Sequence, residues 1–150
     1  MDYTAKYVHT NLVAKDWKKL ASFYQTVFNC VPVPPERDLS GPAISSATSI
    51  PDAHIRGMHL RLPGYDQSGP TLEIFAYTPE MDHPAPVVNR PGYGHIAFLV
   101  DHVELAIKAV MENGGGMVGQ CVTVKVGQGQ VTFVYMTDPE GNILEIQSWA

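Results

Sequence analysis

Four side chains able to ligate a metal stand at matching places in this sequence. They are His9 in "YVHTNLVA", Glu73 in "TLEIFAY", His95 in "YGHIAFLV" and Glu145 in "ILEIQSW". Each sits among apolar neighbours, where an unpartnered titratable group is costly. Two neutral imidazoles and two carboxylates make a mixed nitrogen and oxygen donor set. Such a set suits a divalent cation that keeps positions open for substrate. Nickel, zinc, cobalt, manganese and iron all accept these donors, so no single metal is named by the residues.

The matching places belong to a repeat, which decides the fold if it is real. With His9 laid on His95, an offset of 86 residues, Tyr7 falls on Tyr93, Leu12 on Phe98 and Val13 on Leu99. With "TLEIFAY" laid on "ILEIQSW", an offset of 72, Leu72, Glu73 and Ile74 fall on Leu144, Glu145 and Ile146. The first copy therefore has the longer middle, by 14 residues. Each copy opens on a histidine strand and closes on a glutamate strand, so the chain is a tandem duplication.

The elements that must position these residues are readable between the ends. In 16–29, Trp17, Leu20, Ala21, Tyr24 and Phe28 form one helical stripe behind Asp16, which stands as an N-cap. In 101–116, Val103, Ala106, Ile107 and Val110 form the second stripe, with Asp101 at the cap position and Gly114 to Gly116 as the stop. Strands are expected at 55–62 and 71–77, then at 118–126, 130–137 and 143–149. "VPVPP", 31–35, reads as an edge strand because proline cannot donate within a ladder. The segment 36–54 is either a lid or an irregular connection. Each copy is then βαβββ: module one at 1–80, a proline-rich linker at 81–91 and module two at 92–150, within one domain.

Strand side chains alternate between faces, which separates the acids from the aliphatics. Leu72, Ile74 and Ala76 share one face, Glu73, Phe75 and Tyr77 the other. Leu144 and Ile146 oppose Glu145, Gln147 and Trp149, and His95 lies opposite Ile96 and Phe98 in the same way. The aliphatic faces need the helices, so His9, Glu73, His95 and Glu145 point to the side without them.

Bulk properties narrow the class. At 150 residues with 45% hydrophobic and 17% charged residues, the chain has the composition of a globular domain. A net charge of −5 argues against nucleic acid and anionic membrane as partners. No apolar run approaches the roughly 20 residues of a bilayer span, and the N-terminal residues do not resemble a secretory signal. Cys30 and Cys121 are expected as reduced, buried thiols of a cytoplasmic protein.

The runs "HTNLVAKD", "FYQTVF", "LEIFAY", "GHIAFLVDH" and above all "MTDPEGNILEI" (136–146) resemble the vicinal oxygen chelate superfamily. That superfamily takes in glyoxalases, bleomycin resistance proteins and extradiol dioxygenases, and the resemblance is strongest to glyoxalase I-like members. It covers residues 7–149. It implies an α+β fold of two tandem βαβββ modules, forming a cupped mixed sheet with helices on the outer face. The metal ligands it implies are His9, Glu73, His95 and Glu145. The implied chemistry is chelation of a substrate's two neighbouring oxygens and proton transfer next to a carbonyl, with Glu145 or Glu73 as base. The expected substrate is a small metabolite or thiol conjugate, and relatives of this size imply a homodimer. Alternatives within the same resemblance are a drug- or metabolite-sequestering protein and an oxygen-dependent ring-cleaving enzyme.

Other candidates are secondary. His59 in "IRGMHLRL" shares a strand face with Gly57 and Arg61 and is a candidate substrate-binding residue or second acid or base. An ordinary surface histidine is its plainer reading. Tyr135, with Phe133 on its face, is a candidate for substrate contact, as is Arg61. His54, His83 and His102 are expected to have no catalytic part.

Overall fold

The structure, a computed structural model, describes residues 3–150. Two compact units divide the chain at Asp82 and His83, and each contains one copy of the repeat. Residues 79–95, across that division, contain no helix or strand.

The first unit runs β1 (His9–Val13), α1 (Trp17–Phe28), β2 (Val31–Leu39), α2 (Pro42–Thr48), β3 (His54–Arg61) and β4 (Thr71–Thr78). Its strands lie in the order β1-β4-β3-β2. β1 is parallel to β4, while the hairpin β3–β4 is antiparallel. α1 begins where the Asp16 carboxylate accepts from the Lys19 N–H at 3.0 Å. It ends at Asn29, whose left-handed backbone (φ 56°) closes the last turn onto Tyr24. Of the stripe read from sequence Trp17 is only half-buried, and Phe23 joins the rest: Leu20, Ala21, Phe23, Tyr24 and Phe28 leave water together. They pack on β3 and β4, where Leu60, Leu72 and Ile74 are fully enclosed. β2 is the edge strand its prolines require. Its register with β3 shifts between Val33 and Arg37, within the proline run. The segment 36–54 is not an irregular connection. It carries the end of β2, the helix α2 and the start of β3.

The second unit runs β5 (Ile96–Leu99), α3 (Val103–Glu112), β6 (Gly116–Met117), β7 (Val122–Val126), β8 (Gly129–Thr137) and β9 (Ile143–Trp149). β5 is parallel to β9, and β8 is antiparallel to β9, β6 and β7. Of the single strand expected at 118–126 only Val122–Val126 forms, as β7, with β6 just before that range, and both pair with β8. The break falls where β2 has its register shift in the first unit, so βαβββ is kept in both. α3 packs on β8 and β9, burying Val103 and Val110 on the side of Val134, Met136, Leu144 and Ile146. Its N-cap is His102, not Asp101. Asp101 lies one residue too early to reach the first free N–H groups, and His102 makes no side-chain cap bond. One of the two cysteines departs from expectation. Cys30 is buried, and burial pushes its thiol up to about 12, whereas Cys121 is exposed.

The "MTDPEGNILEI" run is the turn that sets the β8–β9 register. The buried Asp138 carboxylate accepts from the Glu140 N–H at 2.9 Å, the Asn142 N–H at 3.0 Å and the Asn142 amide at 2.9 Å. Gly141 supplies the positive φ of 87° that the turn requires. Asp138→Ala strands these three donors, so unfolding by urea should show a loss of about 1–3 kcal/mol. Asp138→Asn, which retains one acceptor oxygen, should lose less.

Candidate metal centre

Residues paired across a ladder share a face, so the registers place the site. In the first unit Asn11 pairs with Glu73, and Glu73 with His59. The next row joins His9, Thr71 and Arg61. The row on the other side joins Val13, Phe75, Gly57 and Arg37. All of these lie on the face opposite α1.

On that face His9, His59 and Glu73 each offer a ligand atom, and the three atoms lie within 4.8 Å of one another. His59 Nε2 is 2.9 Å from Glu73 Oε2, and His9 Nε2 is 3.7 Å from Glu73 Oε1. The two imidazoles meet edge to face at 5.5 Å between centroids. Two neutral neighbours hold the group in place. Asn11 Nδ2 donates to Glu73 Oε1 at 2.9 Å, and Thr71 Oγ1 lies 2.9 Å from His59 Nδ1. The donor set, two imidazoles and a carboxylate with supporting hydrogen bonds, fits a first-row divalent cation.

Burial, first, holds the His59 imidazole below its ordinary value, the nearby charges of Arg37 and His9 push the same way, and Glu73 opposes them. His59 is therefore neutral at pH 7, and its contact with Glu73 is a hydrogen bond in which Nε2–H donates. The neutral ring is also the form a metal takes. Gly57 lies next to it for a steric reason. A Cβ there would come within 2.0 Å of the Ile74 carbonyl oxygen and 2.7 Å of the Phe75 ring, which itself stands edge-on to His59.

In the second unit Ala97 pairs with Glu145, and Glu145 with Tyr135. His95 immediately precedes β5, and its Nε2 reaches Glu145 Oε2 at 3.0 Å. The Tyr135 ring lies 5.0 Å from the His95 ring and 5.7 Å from Phe133. Each unit thus sets a carboxylate beside at least one imidazole on the face away from its helix.

The remaining candidates divide. Arg61 is half-buried in the His9–Thr71 row, and its charge acts on Asp66 in the β3–β4 connection. Arg37, which the sequence did not single out, is the guanidinium acting on His59. His54 pairs with Asp38, away from the site. The signal for His59 was its registry opposite Glu73, which needs the hairpin length 62–70 to be known.

With fold and site defined, the chain belongs to the Glyoxalase/Bleomycin resistance protein/Dioxygenase superfamily, whose pattern it matches over residues 6–146. Among solved structures it is similar to a glyoxalase family protein from Bacillus cereus, with 16% identity and a TM-score of 0.83. That alignment covers 99% of this chain and 96% of the other. It is also similar to a protein of the same superfamily from Frankia, with 14% identity and a TM-score of 0.61, over 99% of this chain and 100% of that one. A third likeness is to the fosfomycin resistance protein FosX from Listeria monocytogenes in complex with Mn(II) and sulfate. Identity there is 15%, the TM-score 0.51, and 99% and 93% of the chains are covered. No curated protein matches the sequence. Among the described residues, no helix is long and apolar enough to cross a membrane.

Two measurements check this geometry. In metal-free protein, an NMR titration should give His59 a midpoint below 6.5, and Arg37→Ala should raise it. Because the folded value is depressed, the stability linked to His59 is present above pH 6.5 and lost as pH falls below it. Gly57→Ala should cost about 1–3 kcal/mol in thermal or urea unfolding, because Phe75 or β3 must shift.

Proposed function

We propose that this protein is a divalent-metal-dependent enzyme of the glyoxalase type, a lyase or isomerase. It promotes proton transfer at the carbon next to a carbonyl of a small metabolite or thiol conjugate. The observation carrying this reading is the matched imidazole–carboxylate pair in each unit, His9 with Glu73 and His95 with Glu145. These four side chains are the proposed metal-binding residues. The manganese complex of the FosX relative supports a divalent cation in this fold. When bound, the cation draws charge from the substrate carbonyl and so acidifies the neighbouring C–H.

The chain's own residues supply the rest. Glu145, half-buried and joined to His95 through Oε2, is the proposed base that takes the proton, with Glu73 as the second carboxylate able to return it. Tyr135 presents a ring and a hydroxyl beside His95, suited to an oxygenated substrate. His59, Arg61 and Arg37 share the face of Glu73, where their hydrogen-bonding groups and positive charge suit an anionic substituent.

Metal analysis of protein purified without chelators tests the reading. Near-stoichiometric divalent metal is expected in the wild type, and its loss in the folded His9, Glu73, His95 and Glu145 quadruple alanine variant. A wild type without metal overturns the enzyme reading and favours a sequestering protein. Solvent deuterium exchange at the substrate's α-carbon should fall about 100-fold or more in Glu145→Gln. Ferrous-dependent oxygen consumption with catechols, without such exchange, would instead identify a ring-cleaving enzyme.

A further inference from the structure

The duplicated sheets diverge in the row one step beyond the carboxylate. In the first unit that row reads Val13, Phe75, Gly57 and Arg37 across β1, β4, β3 and β2. In the second it reads Leu99, Gln147, Phe133 and Val122 across β5, β9, β8 and β7. An amide thus takes the place of the Phe75 ring, and a valine that of the Arg37 guanidinium. The row after it in the second unit, Val124, Val131 and Trp149, is apolar throughout. Lys125 pairs with Gln130 and so lies on the opposite face. These two rows therefore hold no charged side chain.

Gln147 is the one polar side chain in them with a carbonyl and an amide, and its orientation is fixed. Trp149 Nε1–H donates to Gln147 Oε1 at 3.0 Å. An indole nitrogen can only donate, so the amide oxygen must face it. Nε2, with its two N–H groups, is turned away and meets no protein acceptor among the described residues. Around it the apolar surface is open: Leu99 is 71% and Trp149 51% exposed, and Val122 and Val124 are exposed as well. Contiguous apolar surface around a single aimed donor is the make-up of a small-molecule subsite.

We infer that this face of the second unit receives an uncharged aromatic group of the substrate, with Gln147 Nε2 donating to an acceptor oxygen on or next to the ring. The inference rests on the proposed enzyme reading and deepens it by naming the substrate class. Continuity carries the assignment. One row back on the same face lie Tyr135 and Glu145, the latter 3.0 Å from His95. The Phe133 and Tyr135 rings meet edge to face at 5.7 Å, so an incoming ring finds aromatic faces and edges to pack against. A charged group here would meet no cation in the two rows, and an anion would lie close to Glu145. Any negative charge on the substrate therefore belongs at another part of it.

Acetophenone, a phenyl ring beside one carbonyl oxygen, is the probe, because its binding reads the subsite without metal or turnover. It is titrated into chelator-treated, nitrogen-15-labelled protein, with NMR following the Trp149 indole N–H and the Gln147 side-chain amide. Saturable shifts of both are expected. Acetone, the same carbonyl without the ring, should bind about 10-fold more weakly or less, and benzoate should also bind more weakly than acetophenone. Gln147→Leu should bind acetophenone about 3- to 10-fold less tightly, while toluene, which has no acceptor, binds it as it binds wild type. Circular dichroism checks the fold, and should Gln147→Leu not fold, Phe133→Leu supplies the arm, with a loss of about 3- to 10-fold. No shift at these two groups, equal binding of acetone and acetophenone, or undiminished acetophenone binding in the variant overturns the inference. So does dimerisation in sedimentation that shifts the same resonances and is indifferent to acetophenone, since a second copy then covers the face. Acetophenone binding by a protein that takes up no divalent metal leaves the subsite and overturns the metal-dependent reading; metal uptake without acetophenone binding does the reverse.

Discussion

The constraint on which the first unit's site depends is the sharing of one carboxylate. Glu73 stands mid-strand between two ladders, and its two oxygens are claimed from either side: Oε1 by Asn11 on β1, Oε2 by His59 on β3. A carboxylate on a sheet face keeps its charge only if water or donors replace what folding removes. Here neighbouring strands provide them. Because those strands are locked to β4 by backbone pairing, the imidazoles are aimed before any ligand arrives. Orientation of this kind costs nothing at the moment of binding.

The aliphatic face makes this possible. Leu60, Leu72 and Ile74 are enclosed against α1, so alternation leaves every second residue of β3 and β4 facing away from the helix. Leu144, Ile146, Val134 and Met136 do the same in the second unit. Duplication copied the arrangement, and the copies then took different neighbours for the same imidazole–carboxylate couple.

The periodicities that carry burial were plain in the sequence. Helix stripes, the proline-marked edge at β2 and the Leu-Glu-Ile strands needed only period and composition. His9, Glu73, His95 and Glu145 were visible for the same reason, as polar interruptions recurring at two offsets. What local pattern could not show was cross-strand registry. His59 meets Glu73 because the 62–70 connection fixes the β3–β4 pairing, and no local signal states that length in register. Arg37 was hidden more deeply, since the shift in β2 after Val33 breaks the alternation that would have placed it. Asp101 misled because a cap is a matter of one residue, and His102 occupies it. Cys121 was grouped with Cys30, yet only Cys30 is buried.

The prolines of β2 have an effect beyond its shape. Pro32, Pro34 and Pro35 remove three N–H groups from a strand whose outer side faces no partner strand. An incoming extended peptide would find too few donors there to build a continuous ladder. β7, the corresponding rim of the second unit, reads Val-Thr-Val-Lys-Val, has no proline and leaves its three valines exposed. Any sticking of strand to strand along these two rims is therefore steered to Val122–Val126, where a lone Lys125 is the only charge that resists it.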